Sequence, residues 1–259
     1  MPSINTVSTK PSPQTLAQTE DVKNRFYKAQ GSKSPQELDA LSKDGIWTIR
    51  AAVGRNLNTA KETLERLYYH EADYRVRCAV VANPNAPLQI LEDTLYDPVN
   101  KVRVALTANP NVPSEILSHE MMYKSIDWEV RYGVAFHKNT PQEILNVLYK
   151  DPEMTVRWGV SQNTSAHPQV LHILAQDREN LFIRDGVANN TSAANETLLM
   201  LLKDSNKQVR EAAQLQLRQR MMRSPLTKSM KILNPFSPLN ILDGIKLIRK
   251  KVFEKENKK

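Results

Sequence analysis

One cysteine, Cys78, stands in 259 residues. That excludes an internal disulfide framework and any all-cysteine zinc or iron–sulfur site, and the residue reads as a small apolar filler rather than a reactive thiol. Glycine is scarce, and alternating β-branched runs joined by Asn-Gly turns do not occur, so strand signals are nearly missing. No run of about 18 apolar residues exists, so nothing is expected to span a bilayer. The polar N-terminal stretch has no apolar h-region, which argues against a signal peptide and points to a reducing, cytoplasmic setting. Glycine-rich phosphate loops, nucleophile elbows and HExxH spacing are also missing. The histidines His70, His119, His137, His167 and His172 occupy unrelated positions. No catalytic centre, metal site or cofactor is therefore expected.

The formal net charge of +8 is unevenly distributed. Residues 218–259 hold 12 Lys and Arg against 3 Asp and Glu, which leaves 24 basic and 25 acidic groups in residues 1–217. The body is balanced and the tail alone is basic. Residues 1–20, rich in Ser, Thr, Pro and Gln, cannot bury enough apolar surface to offset their ordering entropy and are expected to be disordered.

What is abundant is a recurring phrase. It is clearest from Val76 as Val-Arg-Cys-Ala-Val-Val-Ala-Asn-Pro-Asn-Ala-Pro, and it returns from Val102 and Val130. Aligning its arginine gives Arg50, Arg77, Arg103, Arg131, Arg157, Arg184 and Arg210, spaced 27, 26, 28, 26, 27 and 26 residues apart. A fixed period in the twenties signals stacked repeats, each of which contacts only its neighbours. Each unit reads as two short helices. The first carries an i, i+3, i+4 stripe: Val76, Ala79, Val80; Val102, Ala105, Leu106; Val130, Gly133, Val134; Val156, Gly159, Val160; Ile183, Gly186, Val187. Its middle residue is always small, which lets a neighbouring helix approach closely. Asp97-Pro98 and Asp151-Pro152 read as N-caps followed by a helix-starting proline, and Asn83, Asn109 and Asn190 as left-handed C-caps. The second helix carries pairs such as Ile90-Leu91, Ile116-Leu117 and Val170-Leu171. Ser34-Pro35-Gln36-Glu37 and Thr140-Pro141-Gln142-Glu143 both have the form of a capping box.

The phrase Val-Arg-x-x-Val-x-x-Asn-Pro-x-x-Pro-x-x-x-Leu-x-x-Leu-x-x-Asp resembles the leucine-rich repeat variant, a bacterial relative of HEAT-type α-solenoids. The resemblance covers roughly Pro35 to Leu217. It implies an all-α, right-handed α-solenoid of about seven degenerate two-helix repeats over residues 21–223. A relative with a cysteine-ligated iron–sulfur segment ahead of the repeats has no counterpart here, because those cysteines are missing. Solenoids host unrelated roles, so architecture alone does not assign an activity.

Two features of the body are candidate sites. Each arginine follows an aspartate, namely Asp44, Asp73, Asp97, Asp127, Asp151, Asp177 or Asp204. These arginines read as a structural ladder that knits adjacent repeats; the alternative is a row of guanidinium groups that grips nucleic-acid phosphates. Matching aspartates cancel the field that phosphate binding requires, which favours structure. The second feature is a local aromatic cluster. Trp128, Tyr132 and Phe136 lie at i, i+4 and i+8, and Met154 and Trp158 hold the corresponding places one unit later. The cluster is either core against a neighbouring layer or a protein-binding hot spot. Some alkyl-base DNA glycosylases are HEAT-like solenoids with aromatic residues facing DNA, so a nucleic-acid-binding solenoid of that kind is the alternative function.

Beyond a proline-containing linker at 224–238, residues 239–259 form a basic amphipathic pattern. Ile241, Ile245, Ile248 and Val252 line one side, and Lys246, Arg249, Lys250 and Lys251 supply the charge. Such a helix caps the array, docks into an acidic partner, or lies on an anionic membrane surface as a peripheral contact. The reading as a whole is a non-enzymatic scaffold for protein–protein interaction, such as an adaptor, regulator or immunity-type protein.

Overall fold

A computed structural model describes residues 13–223. The chain divides into two compact units, Met1–Ser165 and Ala166–Lys259. In the first lie α1 (Pro13–Gly31), α2 (Pro35–Leu41), α3 (Trp47–Arg55), α4 (Lys61–Tyr69), α5 (Tyr74–Val81), α6 (Leu88–Asp93, extended by a 3-10 turn Thr94–Tyr96), α7 (Asn100–Leu106), α8 (Ser114–Leu117), α9 (Glu120–Tyr123), α10 (Trp128–Phe136), α11 (Gln142–Leu148) and α12 (Met154–Gln162). The second holds α13 (Pro168–Leu174), α14 (Leu181–Asn189), α15 (Asn195–Leu201) and α16 (Lys207–Arg223). The protein is all-α, with no strand among the described residues. Among the described residues, no helix is long and apolar enough to cross a membrane.

The apolar stripes form the core. Val76, Val80, Val102, Leu106, Val130, Val134, Val156 and Val160 are fully buried, and Ile90, Leu91, Ile116, Leu117, Leu145 and Leu148 meet them from the second helices. Each such side chain contributes about 1.5–3 kcal/mol by leaving water. In the first unit α1 packs on α3, α3 on α5, α5 on α7, α7 on α10 and α10 on α12. The small residue of each stripe permits this approach. A Cβ added at Gly133 would fall 2.6 Å from Thr107 Cβ, and one at Gly159 would fall 3.1 Å from Ala135 Cβ.

The asparagines do something the sequence reading did not anticipate. No residue has positive φ among the described residues, so they are not left-handed caps. Asn56 and Asn163 end their helices in extended conformation, with φ −70° and −74°. Their side chains are buried donors to the preceding repeat. Asn83 Nδ2 donates to the carbonyls of Gly54 (2.7 Å) and Asn56 (3.1 Å), and Asn109 Nδ2 to those of Val81 (2.8 Å) and Asn83 (2.7 Å). Asn163 Nδ2 donates to Ala135 and His137, both at 2.9 Å, and Asn56 Nδ2 reaches Ala29 in α1 at 2.9 Å. Meanwhile Oδ1 of Asn83 and Asn109 accepts from the amide two residues on. One side chain thus satisfies the open carbonyls of one helix end and fixes the turn of the next. His137 substitutes in this row: Nε2 bonds the Asn109 carbonyl at 2.9 Å, and Nδ1 accepts from Asn139 N at 3.1 Å.

Other local expectations are corrected. The helices α7 and α12 start three residues after Asp97 and Asp151, whose Oδ1 atoms accept from Val99 N and Glu153 N at 2.9 Å; the proline sits inside that turn. Ser34 does cap α2, accepting from Glu37 N, but Glu37 bonds Ser32 Oγ, which itself takes the Ser34 amide. Thr140 is not a cap: it is buried and donates to the Val134 carbonyl at 2.6 Å, as Thr59 does to Val53. The helix α1 begins inside the segment expected to be disordered, since a proline at its first position and no later glycine before Gly31 let the backbone wind. Residues 1–12, the linker 224–238 and the basic helix expected at 239–259 lie outside the described residues, as do Lys246, Arg249, Lys250 and Lys251.

In the second unit α14 and α15 both pack on α16. Where the asparagine would recur stands Gln216, whose Nε2 donates to the Asn189 carbonyl at 2.8 Å. Arg220 then donates to the carbonyls of Ala193 (2.7 Å) and Thr191 (2.9 Å). Arg220, counted with the basic tail from composition, is thereby spent on internal acceptors.

Candidate interaction face

The arginine row is built from two repeated bonds. One nitrogen reaches back to the carbonyl that precedes the helix: Arg50 Nη1 to Asp44 (2.7 Å), Arg77 to Glu71 (3.0 Å), Arg103 to Asp97 (2.5 Å), Arg131 to Ser125 (2.7 Å), Arg157 to Asp151 (2.8 Å), Arg184 to Asp177 (2.8 Å) and Arg210 to Asp204 (2.7 Å). In four of these arginines the other two nitrogens grip a carboxylate of the following repeat. Arg50 holds Glu71 at 2.6 and 3.0 Å, Arg77 holds Asp97 at 2.9 and 3.2 Å, Arg131 holds Asp151 at 2.7 and 3.0 Å, and Arg184 holds Asp204 at 2.7 and 3.2 Å. These bidentate pairs are mostly buried. Burial alone would raise the Glu71 and Asp204 carboxyls; the arginine and backbone bonds outweigh it and hold both below their ordinary values.

Two aspartates assigned to this row from sequence belong elsewhere. Asp73 and Asp127 cap α5 and α10, accepting from Arg75 N and Glu129 N at 2.9 Å. The ladder positions are Glu71 and Ser125. At the N-terminal end the row has a member that sequence reading missed: Arg25 of α1 lies 3.4 Å from Asp44. It escaped notice because Asn24, not an aliphatic residue, precedes it.

Three rings of the aromatic cluster, Tyr132, Phe136 and Trp158, lie together. The rings of Tyr132 and Trp158 are parallel within 6° at 5.9 Å between centroids, and Phe136 stacks on the other side of Tyr132 at 6.0 Å. Gly159 makes this possible, because its missing side chain leaves room for the Tyr132 ring against α12. Tyr132 and Trp158 are half-buried, and burial raises the Tyr132 phenol pKa. Trp128, Phe136 and Met154 are 40 %, 52 % and 38 % exposed, so the cluster is a surface with a packed centre, not interior.

The same register elsewhere in this unit is shielded. The Arg75 guanidinium sits 3.6 Å over the Trp47 ring, and Lys101 lies 6.0 Å over Tyr74. One helix beyond Trp128 the corresponding residue is Thr155, which has no charge to offer. Among the described residues, no three His, Cys, Asp or Glu side chains are grouped to hold a metal ion. The arrangement offers apolar and π surface and little acid–base chemistry. No family model matches the chain, and no curated protein matches it.

Proposed function

We propose that the protein is a non-enzymatic binding scaffold: a right-handed α-solenoid of about seven leucine-rich-repeat-variant units that docks a protein partner on the face carrying Trp128, Tyr132, Phe136, Met154 and Trp158. The solenoid reading is supported by bonds that run between neighbouring repeats. Asparagine amides reach 24 to 29 residues back, and arginine pairs reach 20 or 21 residues ahead. The observation that carries the docking reading is the exposure of Trp128 and Phe136 beside a ring stack that supports them. Aromatic side chains held rigid at a surface concentrate binding energy. A cytoplasmic location belongs to this reading, with residues 239–259 as an auxiliary contact to an acidic partner or anionic membrane.

The test uses two variants that leave the packed centre alone. Trp128→Ala and Phe136→Ala should abolish affinity capture of the partner by the full chain while the melting temperature stays within a degree or two. Capture that survives both changes moves the interface elsewhere. The nucleic-acid alternative is disfavoured because Arg50, Arg77, Arg131 and Arg184 spend their guanidinium groups on carboxylates. Duplex binding by residues 13–223 with a steep dependence on salt would restore it.

A further inference from the structure

In the arginine row the rung at Arg103 is broken. Four arginines at the same register each hold a carboxylate in a two-point grip, with Nε on one oxygen and Nη2 on the other. Arg103 does not. Its Nη1 makes the usual bond to the Asp97 carbonyl, its Nη2 turns to the neutral amide oxygen of Asn100, and no carboxylate pairs with it among the described residues. The cause lies in the following repeat, where Ser125 stands in the carboxylate's place. Ser125 keeps the other duties of that position: its Oγ accepts from Asp127 N at 3.2 Å, and its carbonyl takes Arg131 Nη1. The turn is preserved and only the negative charge is gone.

A half-buried guanidinium without its counter-charge attracts an anion, and the fork that accepts Asp or Glu at four other rungs has the same shape here. A second observation places the break on a surface. Ile126, the residue after Ser125, is 96 % exposed, where the same position elsewhere holds Gly45, Ala72, Pro98, Pro152, Arg178 or Ser205. A large aliphatic side chain is presented to solvent only at the turn where the rung is incomplete.

We propose that Arg103, with Asn100 beside it, is an acceptor site for the carboxylate of an acidic side chain from a protein partner, and that Ile126 is its apolar neighbour in that contact. The partner's Asp or Glu supplies the charge that Glu71, Asp97, Asp151 and Asp204 supply internally at the other rungs. The inference does not depend on the aromatic cluster; it names a second, polar contact with its own chemistry.

The experiment titrates the full chain with sodium acetate, against sodium chloride at equal ionic strength, following the arginine Nε–Hε resonances by NMR. The Arg103 signal should shift and saturate with acetate while those of Arg77, Arg131 and exposed Arg178 stay within the chloride response. Ser125→Asp, which restores the internal carboxylate, should abolish the Arg103 response and raise the melting temperature by a few degrees. Arg103→Gln should remove the responding signal without moving the others. An Arg103 shift no larger than that of Arg178, or one that persists unchanged in Ser125→Asp, overturns the proposal. A response to inorganic phosphate well above that to acetate overturns its assignment to a carboxylate.

Discussion

The side-chain amide of Asn109 lies 2.7 Å from the carbonyl oxygen of Asn83, whose own amide lies 3.1 Å from the carbonyl of Asn56. Each asparagine is therefore both a donor to the repeat behind it and an acceptor for the repeat ahead. Replacing Asn83 by Ala removes two buried donors and a turn acceptor at once. Leaving those carbonyls without partners should cost about 2–4 kcal/mol. Urea unfolding of Asn83→Ala beside the exposed control Asn85→Ala measures it; a loss under about 1 kcal/mol would mean that water replaces the amide.

The ion pairs differ sharply by place. Asp97 is 5 % exposed and Arg77 14 %, whereas the Lys124–Glu120 pair is largely solvated. Asp97→Asn keeps the oxygen that accepts from Val99 N but strips the charge from a buried guanidinium. It should destabilise by about 3 kcal/mol, while Glu120→Gln, in a solvated pair, should leave stability unchanged. Adding Arg77→Met to Asp97→Asn should recover part of the loss, since the cost lies in the uncompensated charge. Full additivity in that cycle would contradict a direct pair.

Much of this framework is legible before any coordinates. The stripes at Val76, Val102, Val130 and Val156 have the helical period, and their large aliphatic members are buried as that period requires. The arginine row was likewise visible as a row. Its partners were not, because two acids often fall near the same arginine and only the fold separates the capping Asp73 from the bridging Glu71. The asparagine bonds were hidden for a related reason: local propensity links Asn to a left-handed turn, whereas here long-range acceptors decide its role. For the aromatic cluster, spacing brought the five residues to one side, but exposure depends on what covers that side, which no local pattern encodes.

His137 makes the fold pH-sensitive in a defined direction. Burial holds its pKa below the ordinary 6.5, against the smaller opposing effect of the Asn109 carbonyl. Its Nδ1 is an acceptor for the Asn139 amide, so the neutral form with hydrogen on Nε2 is the one that fits. As pH falls below about 6.5 the unfolded chain takes up this proton first, and stability drops until the folded pKa is passed. Glu71 and Asp204 act lower: their depressed pKa values stabilise the fold above about pH 4.5 and 3.8, and that contribution fades as acid titrates them. Melting temperatures from pH 7.5 to 5 should fall in the wild type and stay flatter in His137→Asn. Parallel curves would remove His137 as the cause.

The ring stack separates packing from surface. Trp158→Ala removes a half-buried ring that stacks on Tyr132 and should cost about 1–2 kcal/mol. Phe136, half exposed, should cost less than about 1 kcal/mol on the same change. Thermal melts of the two variants give the comparison. A Trp158→Ala loss above about 4 kcal/mol would place that ring in the core and leave only Trp128, Phe136 and Met154 as a docking surface.

A Cβ has less room at Gly133 than at Gly54 or Gly159. A Cβ built there would lie 2.0 Å from Thr107 Oγ1, 2.6 Å from Thr107 Cβ and 2.8 Å from Thr107 Cγ2, so no rotation of the threonine side chain relieves it. Gly133→Ala should gain about 1 kcal/mol of helix propensity, yet it forces α10 away from α7. Separation loosens the burial of Val130 and Val134 as well, so the net effect should be a loss of about 2 kcal/mol or more. Thr107→Gly removes all three clashing atoms and should therefore rescue Gly133→Ala, turning the alanine from destabilising to neutral. If the alanine costs the same in both backgrounds, the helices are not held apart by this contact, and the small residue of the stripe serves some other purpose.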